Sequence, residues 1–149
     1  IQSSMRLKKP FHLELTYTRA MMMFLLFHAR PRKILLIGLG GSLGAISRYL
    51  INEFFIKFIP TEYPLGILFI NVIGCFFIGF YFGTNLIIRD GQYYLFIVGF
   101  IGSFTTMSAF THQTINMLNT NILMASSYII ATIILTIAAT YFGANFLNK

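Results

Sequence analysis

Residues 65–88 contain no Asp, Glu, Lys or Arg, and large apolar side chains and glycine fill most of this run. A helix needs roughly 20 predominantly apolar residues to cross the hydrocarbon core of a bilayer. The uncharged run exceeds that length, whereas the core helices of soluble domains are usually shorter. The run therefore predicts a membrane-spanning helix.

Three further apolar runs of similar length accompany it, at residues 34–58, 93–118 and 122–147. Of the 149 residues, 56% are hydrophobic and 10% are charged, whereas a soluble domain is roughly 25% charged. A soluble chain of this length buries too little surface to hide so many apolar side chains. We predict an all-α integral membrane protein whose four transmembrane helices lie within residues 33–149.

The N-terminal residues 1–32 hold most of the basic side chains behind the formal net charge of +7. Basic residues that flank a first span are a topology signal, so we predict no nucleic-acid partner. No small-residue cleavage site follows the short apolar patch at 21–27, which disfavours a signal peptide. We expect a disordered or interfacial tail, cytoplasmic termini and a multi-pass location in the cell inner (plasma) membrane.

Polar side chains inside the apolar runs are concentrated in the last three. The set that draws attention is Asn71, then Ser103, Thr105, Thr106 and Ser108 with Thr111, His112 and Gln113 a turn further on, and finally Thr132, Thr136 and Thr140. The last three recur every four residues and so share one helix face. They could form a polar path that does not repel an anion, because the set has donors but no carboxylate. Alternatively, the hydroxyls bond to their own helices and Asn71 bridges two helices.

Glycines at a spacing of four residues allow helices to approach closely. Gly40 with Gly44 and Gly79 with Gly83 have this spacing. In the third run, residues 99–106 combine glycines with hydroxyl side chains, which favours a break in the helix if the freed backbone groups find partners. Carbonyls at such a break are ligands for a small hard cation. The alternative is an unbroken, glycine-rich packing face.

Arg48 and Cys75 each have a simple interpretation from the sequence. Arg48 lies near the far end of the first run, where its side chain either reaches the interface or attracts anions into a vestibule. Cys75 is the chain's single cysteine and lies in an apolar run. We expect it to act as a small packing residue.

Three ordered motifs resemble those of the Fluc/CrcB fluoride channels. The first is residues 40–49, GGSLGAISRY; the second is Pro64-Leu65-Gly66 followed by Asn71; the third is residues 99–110, GFIGSFTTMSAF. The resemblance covers about residues 33–147 and leaves the tail outside.

The resemblance implies an antiparallel, dual-topology dimer of four-helix subunits in which the third helix is broken. It also implies a structural sodium ion between the subunits, bound by backbone carbonyls of Gly102 and Thr105, and a vestibule at Arg48. The implied fluoride pore residues are Asn71, Met107, Ser108, Phe110, Thr132 and Thr136.

This sequence departs from the family pattern in two places. Met107 replaces a pore phenylalanine and Ala109 replaces a hydroxyl residue, which could alter conduction. The partner is a second copy of the chain or, given the basic tail, an oppositely oriented paralogue.

We therefore predict a fluoride-selective channel that passively exports cytoplasmic fluoride and protects against its toxicity. It is not predicted to be an enzyme, because the histidines form no ligand pattern and no nucleophile–base pair is visible. A small four-helix multidrug or cation exporter is the alternative, although a proton-driven one needs a carboxylate at membrane depth. The acids Glu14, Glu53, Glu62 and Asp90 lie in the tail, near span ends or in loops. A non-transporting membrane scaffold is a further alternative.

Overall fold

The computed structural model describes residues 5–6, 9–13, 31–84 and 89–146. Two units are distinguished along the chain, Ile1–Leu35 and Leu36–Lys149. Within the first, the short strands β1 (Met5–Arg6) and β2 (Lys9–Leu13) pair antiparallel. The expectation of a disordered or interfacial tail stays a prediction, since most of residues 1–30 lie outside the described part.

The remaining described elements are helical. They are α1 (Pro31–Phe58), α2 (Leu65–Gly83), a π-helix (Tyr93–Ile101), α3 (Gly102–Phe104), α4 (Met107–Leu118) and α5 (Ile122–Asn145). Four helical segments of the described residues are long and apolar enough to cross a membrane. This confirms, for the described part of residues 33–149, the predicted all-α architecture with four helices able to span a membrane. The last residues of the predicted second and fourth spans, 85–88 and 147, lie outside the described residues.

The outward surfaces of the helices are apolar. In α1, Leu39 and Leu43 are more than half exposed, and in α5 the same is true of Ile134 and Ile137. Water would penalise so much exposed hydrocarbon by roughly 25 cal/mol for each Å². These surfaces are therefore suited to lipid or to another apolar partner.

Close backbone contacts join α2 to α5. A Cβ atom added to Gly79 would collide with the carbonyl oxygen of Thr140, and one added to Gly83 with that of Ala144. On α5, Gly143 meets the carbonyl of Phe76 in the same way. The predicted role of Gly79 and Gly83 in close helix packing is confirmed.

The glycines of the first run have an equivalent role. A Cβ atom on Gly40 would collide with the carbonyl oxygen of Leu95, and one on Gly44 with that of Phe100. Both neighbours belong to the π-helix. The predicted close packing of Gly40 and Gly44 is therefore confirmed as well, and it positions the third segment against α1.

The third segment changes conformation along its length. After the π-helix and α3, Thr105 (φ −71°, ψ 152°) and Thr106 (φ −150°, ψ 113°) have extended backbone, and α4 begins at the next residue. The sequence favoured an interruption across residues 102–106. Gly102–Phe104 are helical, so the extended residues are the two threonines.

Candidate functional site

Asn71 pairs with the extended backbone of Thr106. The side chain of Asn71 lies in the middle of α2 and is 8% exposed. Its Nδ2 donates to the carbonyl oxygen of Thr106 at 3.2 Å, and its Oδ1 accepts from the backbone N–H of Thr106 at 2.8 Å. Extended residues lose their helical hydrogen bonds, and buried backbone groups need replacements. Asn71 supplies both a donor and an acceptor to Thr106. It therefore bridges two helical segments, as one of the two interpretations from the sequence proposed.

Thr106 also caps the helix that follows it. Its Oγ1 accepts from the backbone N–H of Ala109 at 3.2 Å and shares a hydrogen bond with Ser108 Oγ at 3.1 Å. Threonine is a favoured N-cap because its hydroxyl satisfies an N–H that the helix leaves unpaired. The cap fixes the start of α4 at the depth of Asn71.

Two backbone carbonyls near Thr106 lack the N–H donors that they would have in a continuous helix. In a continuous helix, the N–H of Thr106 would bond to the carbonyl of Gly102, but here it donates to Asn71. The N–H of Ala109 would likewise bond to the carbonyl of Thr105, but here it donates to Thr106 Oγ1. The carbonyl oxygens of Gly102 and Thr105 are the two atoms that the family resemblance assigns to sodium.

The donor set fits a small hard cation, since such ions prefer oxygen ligands and accept backbone carbonyls. The side chain of Thr105 is already used, because its Oγ1 donates to the carbonyl of Ile101 at 3.0 Å. Among the described residues, no group of three or more His, Cys, Asp or Glu side chains is placed to hold a metal. A cation at this point would therefore depend on main-chain oxygens.

A cavity of about 290 Å³ opens beside the extended residues; we call it the break cavity. Its lining residues come from α2, the break, α4 and α5: Asn71, Cys75, Thr105, Thr106, Met107, Phe110, Thr132, Ile133 and Thr136. Five of the six pore residues that the resemblance implies are thus brought together. The sixth, Ser108, is directed elsewhere by its hydrogen bond to Thr106.

The hydroxyl groups on α5 differ in their partners. Thr136 Oγ1 donates to the carbonyl oxygen of Thr132 at 2.7 Å, and Thr140 Oγ1 donates to that of Thr136 at 3.0 Å. Thr132 is 7% exposed, and its own Oγ1 has no hydrogen-bond partner within the described part of the chain. Of the three threonines, Thr132 is thus the one whose hydroxyl is not bonded to a carbonyl of its own helix, and its oxygen is buried.

Phe110 lines the break cavity and packs against α5. It is 8% exposed, and its ring centroid is 5.3 Å from that of Tyr128. The ring of Tyr63 meets the other side of Tyr128 edge-on, with centroids 5.4 Å apart. The aromatic group of Phe110 is therefore held in place by a second, fully buried ring.

A second cavity, of about 430 Å³, lies on another side of the break; we call it the basic vestibule. It is lined by Ala45, Arg48, Tyr49, Asn52, Ile67, Thr106, Ser108, Ala109 and His112. None of these side chains is acidic, and Arg48 supplies a positive charge. Thr106 lines both cavities. Arg48 and Ser108 share this space rather than the break cavity.

Comparison with known proteins identifies the family. The model of the CrcB-like protein family, Camphor Resistance (CrcB), matches residues 35–144. The chain belongs to this family. The match runs from α1 to α5 and so includes the break, both cavities and every site residue named above.

The chain is also similar in sequence to several individual proteins. The fluoride-specific ion channel FluC of Francisella philomiragia is 37% identical over 122 residues, covering 76% of this chain and 93% of that protein. FluC 2 of Methanosarcina mazei is 40% identical over 125 residues, covering 78% and 87%. FluC of Dehalococcoides mccartyi is 34% identical over 116 residues, covering 75% and 89%.

The family and the four helices together establish a multi-pass membrane protein that is not an enzyme. One buried polar residue that packs against Phe110 was not singled out from the sequence. Tyr128 is fully buried, and its hydroxyl has no hydrogen-bond partner within the described residues. It lies four residues before Thr132, so the four-residue period of the threonines already included it.

Proposed function

We propose that this chain is a passive, fluoride-selective channel that exports cytoplasmic fluoride. Hydrogen fluoride crosses a membrane as the neutral acid and ionises inside, which traps the anion and creates the need for a path outward. The observation that carries the proposal is the lining of the break cavity, which combines Asn71, Phe110 and four threonines and includes no acidic side chain. The names of the relatives support the same ion.

The break cavity offers fluoride several weak contacts. Hydroxyl groups donate hydrogen bonds, and the edge of an aromatic ring carries partial positive charge. Thr132 and Phe110 line the cavity with such groups, and Tyr128 packs against Phe110. Several weak contacts favour conduction, because an ion that is bound tightly at one point does not leave.

The start of α4 adds a favourable field for an anion. A helix N-terminus carries about half a positive elementary charge, from its aligned peptide dipoles. α4 begins at Met107, which lines the break cavity. Fluoride would therefore pass close to this end of the helix. Arg48 in the basic vestibule would raise the local anion concentration before entry.

Asn71 has a different part in this proposal. Its Oδ1 and one Nδ2 hydrogen are committed to Thr106, which leaves one donor hydrogen for an ion. Its main contribution is to hold the extended backbone of Thr106, which lines both cavities. We propose that this break, at Thr105 and Thr106, is the point where the third helix opens the permeation path.

The functional assembly that we propose is an antiparallel, dual-topology dimer with a structural sodium ion. Support comes from Gly102 and Thr105, whose carbonyls lack helical donors, and from Met107, which is 69% exposed on the subunit. A second copy would cover Met107 and supply two more carbonyls. When bound, sodium neutralises these carbonyl dipoles and joins the subunits. Replacing sodium with N-methylglucamine should shift purified protein from dimer to monomer in size-exclusion chromatography.

Fluoride flux from liposomes tests the function. Reconstituted protein should release fluoride and retain chloride under the same gradient. Phe110→Leu should lower fluoride release, because the ring edge is lost while the site stays apolar. Phe142→Leu is the matched control, since Phe142 is 66% exposed on α5. Equal release of both anions would contradict selectivity, and no release by the wild type would favour the scaffold alternative.

The exporter alternative has no support in the described residues. Glu53, Glu62 and Asp90 are exposed, and none lines the break cavity. Asp90 instead accepts a hydrogen bond from the backbone N–H of Tyr93 at 2.9 Å. Proton-coupled export needs a titratable group along the path, so fluoride release should not require a proton gradient.

A further inference from the structure

Three aromatic rings connect the loop between α1 and α2 to the break cavity. Tyr63 lies in the loop, and its ring centroid is 5.4 Å from that of Tyr128, with the ring planes at 90°. The Tyr128 ring is in turn 5.3 Å from the ring of Phe110, at 37°. Because Phe110 lines the break cavity, the loop reaches that cavity through ring contacts on α5 and α4.

The orientation of the Phe110 ring matters in the proposed channel. The ring edge carries the partial positive charge that would face an anion. The outer torsion of a phenylalanine side chain has broad minima, so this torsion alone does not fix the direction of the edge. Neighbouring atoms have to fix it, and the fully buried ring of Tyr128 is such a neighbour.

The contact between Tyr63 and Tyr128 restrains the second ring. In a perpendicular pair, the positive edge of one ring meets the negative face of the other, so the attraction depends on the angle between them. An aliphatic side chain in place of Tyr63 would fill space without this dependence on angle. Tyr63 therefore contributes orientation to Tyr128 as well as packing.

The loop backbone holds Tyr63 at this contact. Its N–H donates to Thr61 Oγ1 at 2.8 Å, and its carbonyl oxygen accepts from the N–H of Leu65 at 2.7 Å. Pro64 follows directly, and the proline ring limits the backbone torsion φ there. The Tyr63 side chain also borders a cavity of about 130 Å³, so packing alone does not confine it and the backbone contacts carry more of the restraint.

We propose that Tyr63 is a positioning residue that sets the direction of the Phe110 ring edge through Tyr128. Tyr63 is not among the residues that line the break cavity, so it acts on the cavity through the two other rings. The inference rests on the proposed function for the role of Phe110 toward fluoride. The contacts between the rings do not depend on that function.

Fluorine NMR of the ring at position 110 tests the positioning directly. The whole chain, with para-fluorophenylalanine in place of Phe110, is measured in detergent and fluoride-free buffer. Tyr63→Leu should shift or broaden the resonance by more than its linewidth, because the perpendicular contact is lost. Tyr63→Phe keeps the ring and should leave the resonance in place, as should the control Tyr141→Leu at a residue 65% exposed on α5. An unchanged resonance in Tyr63→Leu would overturn the proposal.

A second variant covers the case in which Tyr63→Leu does not fold. Thr61→Ala keeps the Tyr63 ring and removes the hydroxyl that binds its backbone N–H. It should shift the resonance in the same direction by a smaller amount, because the loop is loosened. If Tyr63→Leu does not fold, an unmoved resonance in Thr61→Ala would overturn the proposal.

Flux measurements test the consequence for the channel. Tyr63→Leu should lower fluoride release from liposomes severalfold, and Tyr63→Phe should restore it. Equal losses in the two variants would overturn the role of the ring contact. If the wild type released no fluoride, the proposed function would fail, but the fluorine resonance would still decide whether Tyr63 positions the ring at 110.

Discussion

Residues with a hydroxyl group recur every four positions along α5, and the two halves of the helix use these hydroxyls differently. In the second half, Thr136 and Thr140 bond to carbonyls of their own helix, and Gly143 packs against the backbone of α2. In the first half, Thr132 and Tyr128 have hydroxyls without partners in the described residues. The packing partners differ along the helix, because Thr140 and Gly143 meet the backbone of α2 closely, whereas Tyr128 packs against Phe110 of α4.

Loss of the Asn71 amide should have the largest effect on stability and flux, since Asn71 holds the extended backbone of Thr106 in place. Asn71→Ala leaves the N–H and the carbonyl of Thr106 without partners, and each unsatisfied buried group costs about 1–3 kcal/mol. We expect strongly reduced yield, a lower midpoint of thermal unfolding in detergent, and no fluoride flux. Asn116→Ala, at an exposed position of α4, should behave as wild type. A stable, conducting Asn71→Ala would contradict the bridging role.

The close contact between α2 and the second half of α5 can be disrupted at Gly79. Gly79→Ala places a Cβ against the carbonyl of Thr140, and overpacking of this kind costs about 1–3 kcal/mol. The midpoint of thermal unfolding should fall. Gly38→Ala is the control, because a Cβ there meets nothing within 4 Å; its midpoint should be unchanged or higher. Equal midpoints for the two variants would show that α2 and α5 tolerate separation.

Removal of single hydroxyls should sharpen the contrast within α5. Thr132→Val deletes an unpaired buried group, so stability should stay constant or rise by about 1 kcal/mol while fluoride flux falls severalfold. Thr140→Val deletes a hydrogen-bonded group that does not line the cavity. It should lower stability by about 1 kcal/mol or less and leave flux intact. Thermal unfolding and liposome flux should be measured on both variants. Equal changes in the two would contradict the difference proposed between Thr132 and Thr140.

Tyr128→Phe should give the smallest effect. The ring and its packing against Phe110 remain, and only the unpaired hydroxyl is lost. Unfolding should be unchanged within about 1 kcal/mol, with a moderate decrease in flux. Tyr141→Phe, at a residue 65% exposed on the same helix, is the matched control. A wild-type flux in Tyr128→Phe would remove Tyr128 from the site and leave Thr132 as its only α5 hydroxyl donor.

The helices and their close contacts were predictable because they depend on local patterns. Lipid leaves an apolar run of about 20 residues few structures other than a helix, and the spacing of Gly79 and Gly83 directly indicates close packing.

The detail of the break was not predictable, because a contact between distant residues decides it. Glycine near the break favoured Gly102 as its start, whereas Asn71, 35 positions before Thr106, determines that the extended residues are Thr105 and Thr106. Ser108, which the sequence predicted as a pore residue, bonds to Thr106 and lines the basic vestibule. Tyr128 was overlooked because a buried tyrosine resembles a core residue until its hydroxyl is seen to lack a partner.

The pairing of Asn71 with Thr106 also has a consequence for biogenesis. A segment with extended backbone at membrane depth is unfavourable in lipid until its polar groups are satisfied. Chains are synthesised from the N-terminus, so α2 and its amide enter the bilayer before the third segment does. The third segment can therefore pair with Asn71 as soon as it inserts. In a permuted chain in which α2 followed α4, the polar backbone of Thr106 would enter the bilayer without a hydrogen-bond partner.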